Sequence, residues 1–153
     1  MRKTWLFSLV TLVGLLPMAF GQGSQLGDDK TLIDRAKRAD VSLMDRRLPS
    51  GQFSDWLSKT VGEKATITWE VNDCGEATGG PADRGRDMPV CVEAAAKLPD
   101  GRKVVLSLAV GSRQRGMNSQ FTAFYTTAVL QGEKFTEFRA LGDLPALLQA
   151  GAK

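Results

Sequence analysis

The amino-acid sequence predicts an α+β domain in which N-terminal helices pack on one face of a four- or five-stranded antiparallel meander sheet, with a short C-terminal helix. Apolar residues recur at helical spacing between residues 28 and 57. From Ala65 onward they alternate with polar residues at the spacing of two that is typical of strands. The Pro-Asp-Gly sequence at 99–101 joins two such segments as a tight turn.

The chain begins with the pattern of a secretory signal peptide. Two basic residues precede an apolar run over residues 5–20, and small residues follow. We expect residues 1–21 to be removed after Gly21, so that residues 22–153 form a single domain. An uncleaved anchor is the alternative, but Pro17 interrupts a run that needs roughly 20 apolar residues to span a bilayer. The prediction is a periplasmic or secreted protein without a stable membrane anchor.

Composition excludes several classes of function. Loss of the signal peptide lowers the 20 basic residues to 18, against 17 acidic residues, so the mature net charge is near +1. This balance gives no electrostatic case for nucleic acid. The chain contains no histidine, which removes Ser-His-Asp and Cys-His nucleophile systems and His-ligated zinc. No cofactor is indicated, and catalysis would have to use carboxylate, Lys or Tyr side chains.

Two helices are predicted before the sheet. One runs between Asp28 and Arg47, because acidic residues favour its start and basic residues its end. Its core-facing stripe contains Leu32, Ala36, Ala39 and Leu43, with Ile33 and Met44 flanking. The charged face of this helix, which includes Asp34 and Arg38, is either a solvated face or a partner surface. Ser50 is expected to cap a second, short helix. The apolar side of that helix contains Phe53, Trp56 and Leu57.

Five segments then have strand character. They start near residues 65, 90, 103, 121 and 134. A final helix is expected near Asp143, with Pro145 in its first turn. The Pro-Asp-Gly turn fits a three-residue loop with a glycine bulge, which pairs Ala96 with Val104. If Cys74 faces Cys91, Trp69 would lie opposite Ala96.

The two cysteines predict a disulfide. Cys74 and Cys91 are the only cysteines and bracket a segment rich in Gly, Pro, Asp and Arg. In an oxidising compartment an isolated pair forms a disulfide by default, whereas a metal site would need more ligands at closer spacing. The bond would close a loop of about 16 residues and stabilise the fold by roughly 3 kcal/mol.

Two connections are expected to leave the same end of the sheet as this disulfide, where binding residues tend to sit. One is the stapled loop, residues 74–91, and the other spans residues 111–119. Their candidate binding residues are Asp83, Arg84, Arg86, Arg113, Arg115 and Met117. Arg and Met are enriched at interfaces, and a rigid loop loses less entropy on docking. The alternative is that both connections are ordinary solvated loops. Calcium is disfavoured because arginines stand among the carboxylates of the stapled loop.

The opposite face of the sheet suggests a different function. Glu70 and Glu93 are predicted to be diagonal neighbours, roughly 7 Å apart at the backbone. Paired carboxylates can perform glycoside chemistry, one as acid and one as nucleophile or base. An ordinary solvated face, with Lys97 paired to Glu70, is the simpler interpretation.

The leading functional prediction is an exported, noncatalytic binding or inhibitor-like module that recognises an extracytoplasmic protein. A small enzyme or small-ligand binder that uses Glu70 and Glu93 is the first alternative. A structural envelope component is the second.

Overall fold

The structure, a computed structural model, describes residues 26–74, 89–121 and 124–151. The signal peptide predicted at residues 1–21 lies outside these ranges, as do the candidate binding residues Asp83, Arg84 and Arg86. The elements are α1 (Asp29–Lys37), α2 (Val41–Met44), α3 (Phe53–Val61), β1 (Thr66–Asp73), β2 (Pro89–Lys97), β3 (Lys103–Ser112), β4 (Gly116–Met117), β5 (Phe124–Gln131), β6 (Lys134–Glu137), a 3-10 turn (Leu141–Asp143) and α4 (Leu144–Ala150).

The strands form one antiparallel sheet in the order β1-β2-β3-β5-β6. The two-residue β4 pairs with the end of β3, on the side of β3 opposite to β2. The α+β class, the antiparallel meander, the N-terminal helices and the short C-terminal helix are therefore confirmed. Among the described residues the sheet has six strands rather than the four or five predicted, because β4 adds to the end of β3.

The helices cover one face of the sheet. Two clusters of buried side chains lie between the helices and the sheet. The first contains Phe53, Leu57, Ala94, Leu106, Leu144 and their neighbours, and the second contains Leu32, Ala36, Val92, Leu108, Val110 and theirs. Trp69 and Phe124 contact both clusters, and the Phe53 ring packs edge-on against each of them. The core therefore extends along the whole helix-covered face.

The single N-terminal helix predicted from Asp28 to Arg47 is wrong, because the helix is interrupted before Asp40 and a separate helix, α2, begins after it. The Asp40 carboxylate accepts hydrogen bonds from the Ser42 amide and hydroxyl, the Ser50 hydroxyl and the Gly51 amide. These hydrogen bonds compete with a continued helix, and Asp40 becomes the N-cap of the separate helix α2. As a result Leu43, expected in the core, is 57% exposed.

Ser50 does not cap the next helix as predicted, since its hydroxyl is bonded to Asp40. Gln52 occupies the N-cap position of α3 without a side-chain hydrogen bond. The apolar side of α3 is nevertheless as expected, because Phe53 and Leu57 are buried and Trp56 is half-buried. Packing of this face, rather than capping, holds α3 in place.

Register was predicted correctly for one hairpin and incorrectly for the other. Ala96 pairs with Val104 around a turn in which Gly101 has φ of 88°, as the glycine bulge requires. Between β1 and β2, however, Trp69 lies opposite Ala94 rather than Ala96. The shift is two residues, so each side chain keeps its face. Its cause is that Cys91 pairs with Asn72 and reaches Cys74 diagonally.

A buried arginine ties the C-terminal helix to the β2–β3 turn. The Arg102 side chain is 5% exposed, and its guanidinium bonds to the Asp100 carboxylate. It also donates to the Leu148 carbonyl at 2.9 Å, in the last turn of α4. Cations stabilise this end of a helix because its carbonyls lack backbone donors.

Candidate protein-binding surface

The expected convergence of two connections at one end of the sheet is present. β1 ends at Asp73, β2 begins at Pro89 and β3 ends at Ser112, and Pro89 pairs with Ser112. We call this part of the molecule the stapled end. The stapled end comprises Asp73, Cys74, Cys91 and the 111–119 connection. Thr66, at the start of β1, lies about 23 Å away along the strand.

The disulfide that closes the stapled end is confirmed. Cys74 and Cys91 are bonded, with their Cα atoms 5.0 Å apart, and both residues are buried. The Cys74 amide also donates to the Pro89 carbonyl, so pairing continues up to the bond. The base of the stapled loop is therefore fixed by a covalent bond and by the sheet.

The 111–119 connection is a tight hairpin rather than an open loop. Gly111 and Ser112 pair with Met117 and Gly116, which leaves only residues 113–115 as the turn. Gly116 has φ of 78°, a value that favours glycine. Strands β3 and β4 approach closely because Gly111 has no side chain. A Cβ there would lie 2.9 Å from the Met117 Cα and closer still to the Gly116 carbonyl oxygen.

An ion pair holds the tip of this hairpin to the other edge of the stapled end. The Arg113 guanidinium donates to Asp73 Oδ1 from Nε at 3.2 Å and from Nη2 at 2.9 Å. The pair spans β2, because Asp73 ends β1 and Arg113 follows β3. The Arg113 side chain stays 69% exposed. Arg115 is also exposed, and its amide donates to the Ser112 hydroxyl.

Met117, expected as an exposed contact residue, is only partly exposed. It packs against the second core cluster, and Arg35 Nη1 of α1 donates to its Sδ at 3.0 Å. The same guanidinium lies over the Phe121 ring, with 5.3 Å between Cζ and the ring centroid. Met117 therefore joins the hairpin to α1.

A groove lies beside this contact, between α1 and α2 on one side and residues 119–121 on the other. Its volume is about 340 Å³. The lining residues are Arg35, Arg38, Ala39, Asp40, Leu43, Ser119, Gln120 and Phe121. Leu43 gives it an exposed apolar rim. We call this feature the arginine groove.

Glu70 and Glu93 face each other directly, which corrects the diagonal arrangement expected from the sequence. Glu70 is exposed, whereas Glu93 is 4% exposed. Desolvation by burial raises the pKa of Glu93. The Lys103 charge opposes this shift, the Glu70 charge adds to it, and a Ser107 hydrogen bond opposes it. The two carboxyl groups are thus neighbours in different environments.

The strand register also places a row of polar residues on this face. It runs from Glu70 through Glu93 and Ser107 to Thr126. Buried apolar residues that belong to neither core cluster flank the row: Cys91, Ala95, Val105 and Ala128. The centre of the face opposite the helices is therefore buried, whereas its β1 edge, with Thr66, Thr68 and Glu70, is exposed as the simpler interpretation expected.

The described ranges lack a metal cluster and a membrane-spanning helix. No group of three or more cysteine, aspartate or glutamate side chains there is arranged to hold a metal ion. Across the same residues, no helix is long and apolar enough to cross a membrane.

No protein-family model, no curated protein and no solved structure matches this chain. The site therefore has to be interpreted from its own geometry. The sequence predicted the disulfide and the 111–119 connection as candidate binding features, but it gave no indication of Arg35 and Phe121. Their contribution depends on contacts between residues more than 80 positions apart, for which no local pattern exists.

Proposed function

We propose that the protein is an exported, noncatalytic binding module and that the stapled end is its contact surface for an extracytoplasmic protein. The observation that carries the proposal is the Asp73–Arg113 pair beside the Cys74–Cys91 bond. Together they fix the base of one connection and the tip of the other, and they leave a guanidinium exposed. A pre-organised surface of this kind loses little entropy on binding, and Arg is a frequent interface anchor.

Export rests on the signal-peptide pattern, and the buried disulfide supports an oxidising compartment. We expect the mature chain to begin at Gln22 and to weigh two hydrogens less than the reduced chain. Its cysteines should react with an alkylating reagent only after reduction. Intact-mass spectrometry measures all three properties. Two free thiols in an uncleaved chain would contradict both export and the stapled surface.

The binding proposal is tested by affinity capture from periplasmic or secreted extract. The test variant is Arg113→Ala/Arg115→Ala. The Asp73–Arg113 pair is exposed and contributes less than about 1 kcal/mol to stability, so this variant should fold. The matched control, Lys59→Ala/Lys64→Ala, removes the same charge at or near the far end of the sheet, where both lysines are exposed.

We expect the wild type and the control to retain a common partner and the arginine variant to lose it. Equal recovery of every protein by all three baits would argue against the stapled end as the contact surface. Circular dichroism of each bait confirms that the comparison is between folded proteins.

A second function, a small enzyme or ligand binder on the polar face, is favoured by one observation. Glu93 has a raised pKa and lies directly opposite the exposed Glu70, and carboxyl groups in contrasting environments can divide acid and base roles. The test is hydrolysis of a panel of chromogenic glycosides by wild type and Glu70→Gln. No hydrolysis, or hydrolysis that Glu70→Gln leaves unchanged, would end this alternative.

A further inference from the structure

Arg35 of α1 and Arg38, the C-cap residue of that helix, carry positive charge that the described chain does not neutralise. No described carboxylate lies within ion-pair distance of Arg35 or Arg38. Asp34, which directly precedes Arg35, is paired with Lys30. Arg38 Nε donates to the Asp34 backbone carbonyl, and Arg35 uses Nη1 on a thioether, a weak acceptor. Both guanidinium groups keep further donors for an external acceptor.

The one acidic residue in the arginine groove is already engaged. Asp40 is ionised, because hydrogen bonds from Ser50, Ser42 and Gly51 lower its pKa. Four donors occupy its two oxygens. The other polar lining residues, Ser119 and Gln120, are neutral. The charges that line the arginine groove therefore favour a ligand that carries an anionic group.

The arginine groove also has an apolar part and a fixed geometry. Leu43 is 57% exposed on its rim, and the buried Phe121 lies under the Arg35 guanidinium. Stacking on a ring and bonding to Met117 hold Arg35 in one orientation, which reduces the entropy lost when it binds a carboxylate. Arg38 caps the C-terminal end of α1 and lines the same groove as Arg35.

We propose that the arginine groove binds an acidic segment of the partner protein that also carries an apolar side chain. A carboxylate would bond to Arg35 and Arg38, and the apolar side chain would cover Leu43. This inference rests on the proposed function, because it names the chemistry of the partner segment. The groove adjoins the stapled end through the Arg35–Met117 contact, so one partner can reach both surfaces.

The experiment is a selection of random 12-residue peptides displayed on phage against the purified exported chain. Enriched sequences are then synthesised and their affinity measured by fluorescence anisotropy at low and high salt. We expect the enriched set to combine Asp or Glu with a large apolar residue, and binding to weaken as salt rises.

Three variants locate the binding site. Arg35→Gln/Arg38→Gln should weaken binding by at least about tenfold. Arg35→Glu/Arg38→Glu should change the preference of the selection from acidic to basic peptides. Leu43→Ser keeps the test decisive if the arginine variants fold poorly, because Leu43 is exposed, and it should weaken binding about threefold or more. Lys59→Gln/Lys64→Gln is the control with matched charge loss.

Several results would overturn the inference. They are enrichment of basic or uncharged peptides, enrichment of none, or binding that the groove variants leave unchanged. A dimer of the chain that Leu43→Ser dissociates would show that a second copy occupies the groove. That result would also overturn the inference. The proposed function fails separately, when Arg113→Ala/Arg115→Ala captures the same proteins as the wild type.

Discussion

The close approach of β3 and β4 predicts that Gly111→Ala destabilises the stapled end. A Cβ at position 111 would lie 2.7 Å from Leu26 Cδ1 and 2.9 Å from the Met117 Cα. Leu26 can move because the contact involves the end of its side chain. The Met117 Cα and the nearer Gly116 carbonyl are backbone, so β4 itself would have to shift.

The magnitude follows from two opposing effects. Overpacking that moves backbone costs typically 1–3 kcal/mol, and the upper half of that range (roughly 2–3 kcal/mol) applies where two of three contacts are backbone. Replacing glycine by alanine restricts the unfolded chain and returns roughly 0.4–1 kcal/mol. We therefore expect a net loss of about 2 kcal/mol in the free energy of unfolding. For a domain of this size the midpoint temperature should fall by about 8 °C.

Urea denaturation of the oxidised protein measures this change, with Gly51→Ala as the control. A Cβ at Gly51 would meet nothing within 4 Å, and its amide bond to Asp40 is preserved. The control should therefore match the wild type or exceed it slightly. If Gly111→Ala and Gly51→Ala had the same stability within about 0.5 kcal/mol, the close approach of β3 and β4 would be wrong.

Three further changes test other parts of the account. Cys74→Ser/Cys91→Ser should lower the free energy of unfolding by about 3 kcal/mol, measured by urea denaturation, because the closed loop no longer restricts the unfolded chain; an unchanged midpoint would contradict this. Glu93→Gln should raise stability at neutral pH by on the order of 1 kcal/mol. Burial raises the pKa of Glu93, so the wild type loses stability relative to the variant as pH increases through that pKa, and the difference in stability should vanish in acid, where both side chains are neutral. Thermal melts from pH 4 to 8 measure this difference. A difference in stability that does not depend on pH would refute the prediction. Arg102→Met should cost about 2 kcal/mol through the lost bond to the Leu148 carbonyl, and hydrogen exchange in α4 should accelerate more than in α3; equal protection in both would rule out the tie between the turn and α4.

The sequence predicts best where structure is local. The β2–β3 register follows from the Pro-Asp-Gly turn, because only a glycine at position 101 readily takes the positive φ of a bulged loop. The alternation over 65–71 likewise gives the face of each side chain without knowledge of the partner strand.

Predictions from the sequence fail where residues far apart in the chain determine the local structure. The β1–β2 register depends on a long connection, and the disulfide forms although Cys91 lies opposite Asn72, because the Cα atoms of Cys74 and Cys91 are still only 5.0 Å apart. The predicted helix is interrupted before Asp40, whose carboxylate accepts hydrogen bonds from Ser50 and Gly51, ten and eleven residues away. The cysteines and the hairpin arginines could mark the stapled end, whereas the arginine groove exists only once Arg35 and Phe121 are brought together.

We propose that the stapled end contacts an extracytoplasmic protein. Site-specific photo-crosslinking in cells that export the chain tests it most directly. A benzoylphenylalanine at exposed Ser119, beside the hairpin, is compared with one at exposed Lys64, near the far end of the sheet. We predict a light-dependent adduct with one protein from position 119 only, which Arg113→Ala/Arg115→Ala abolishes. No adduct from position 119, or the same adducts from both positions, would contradict the account.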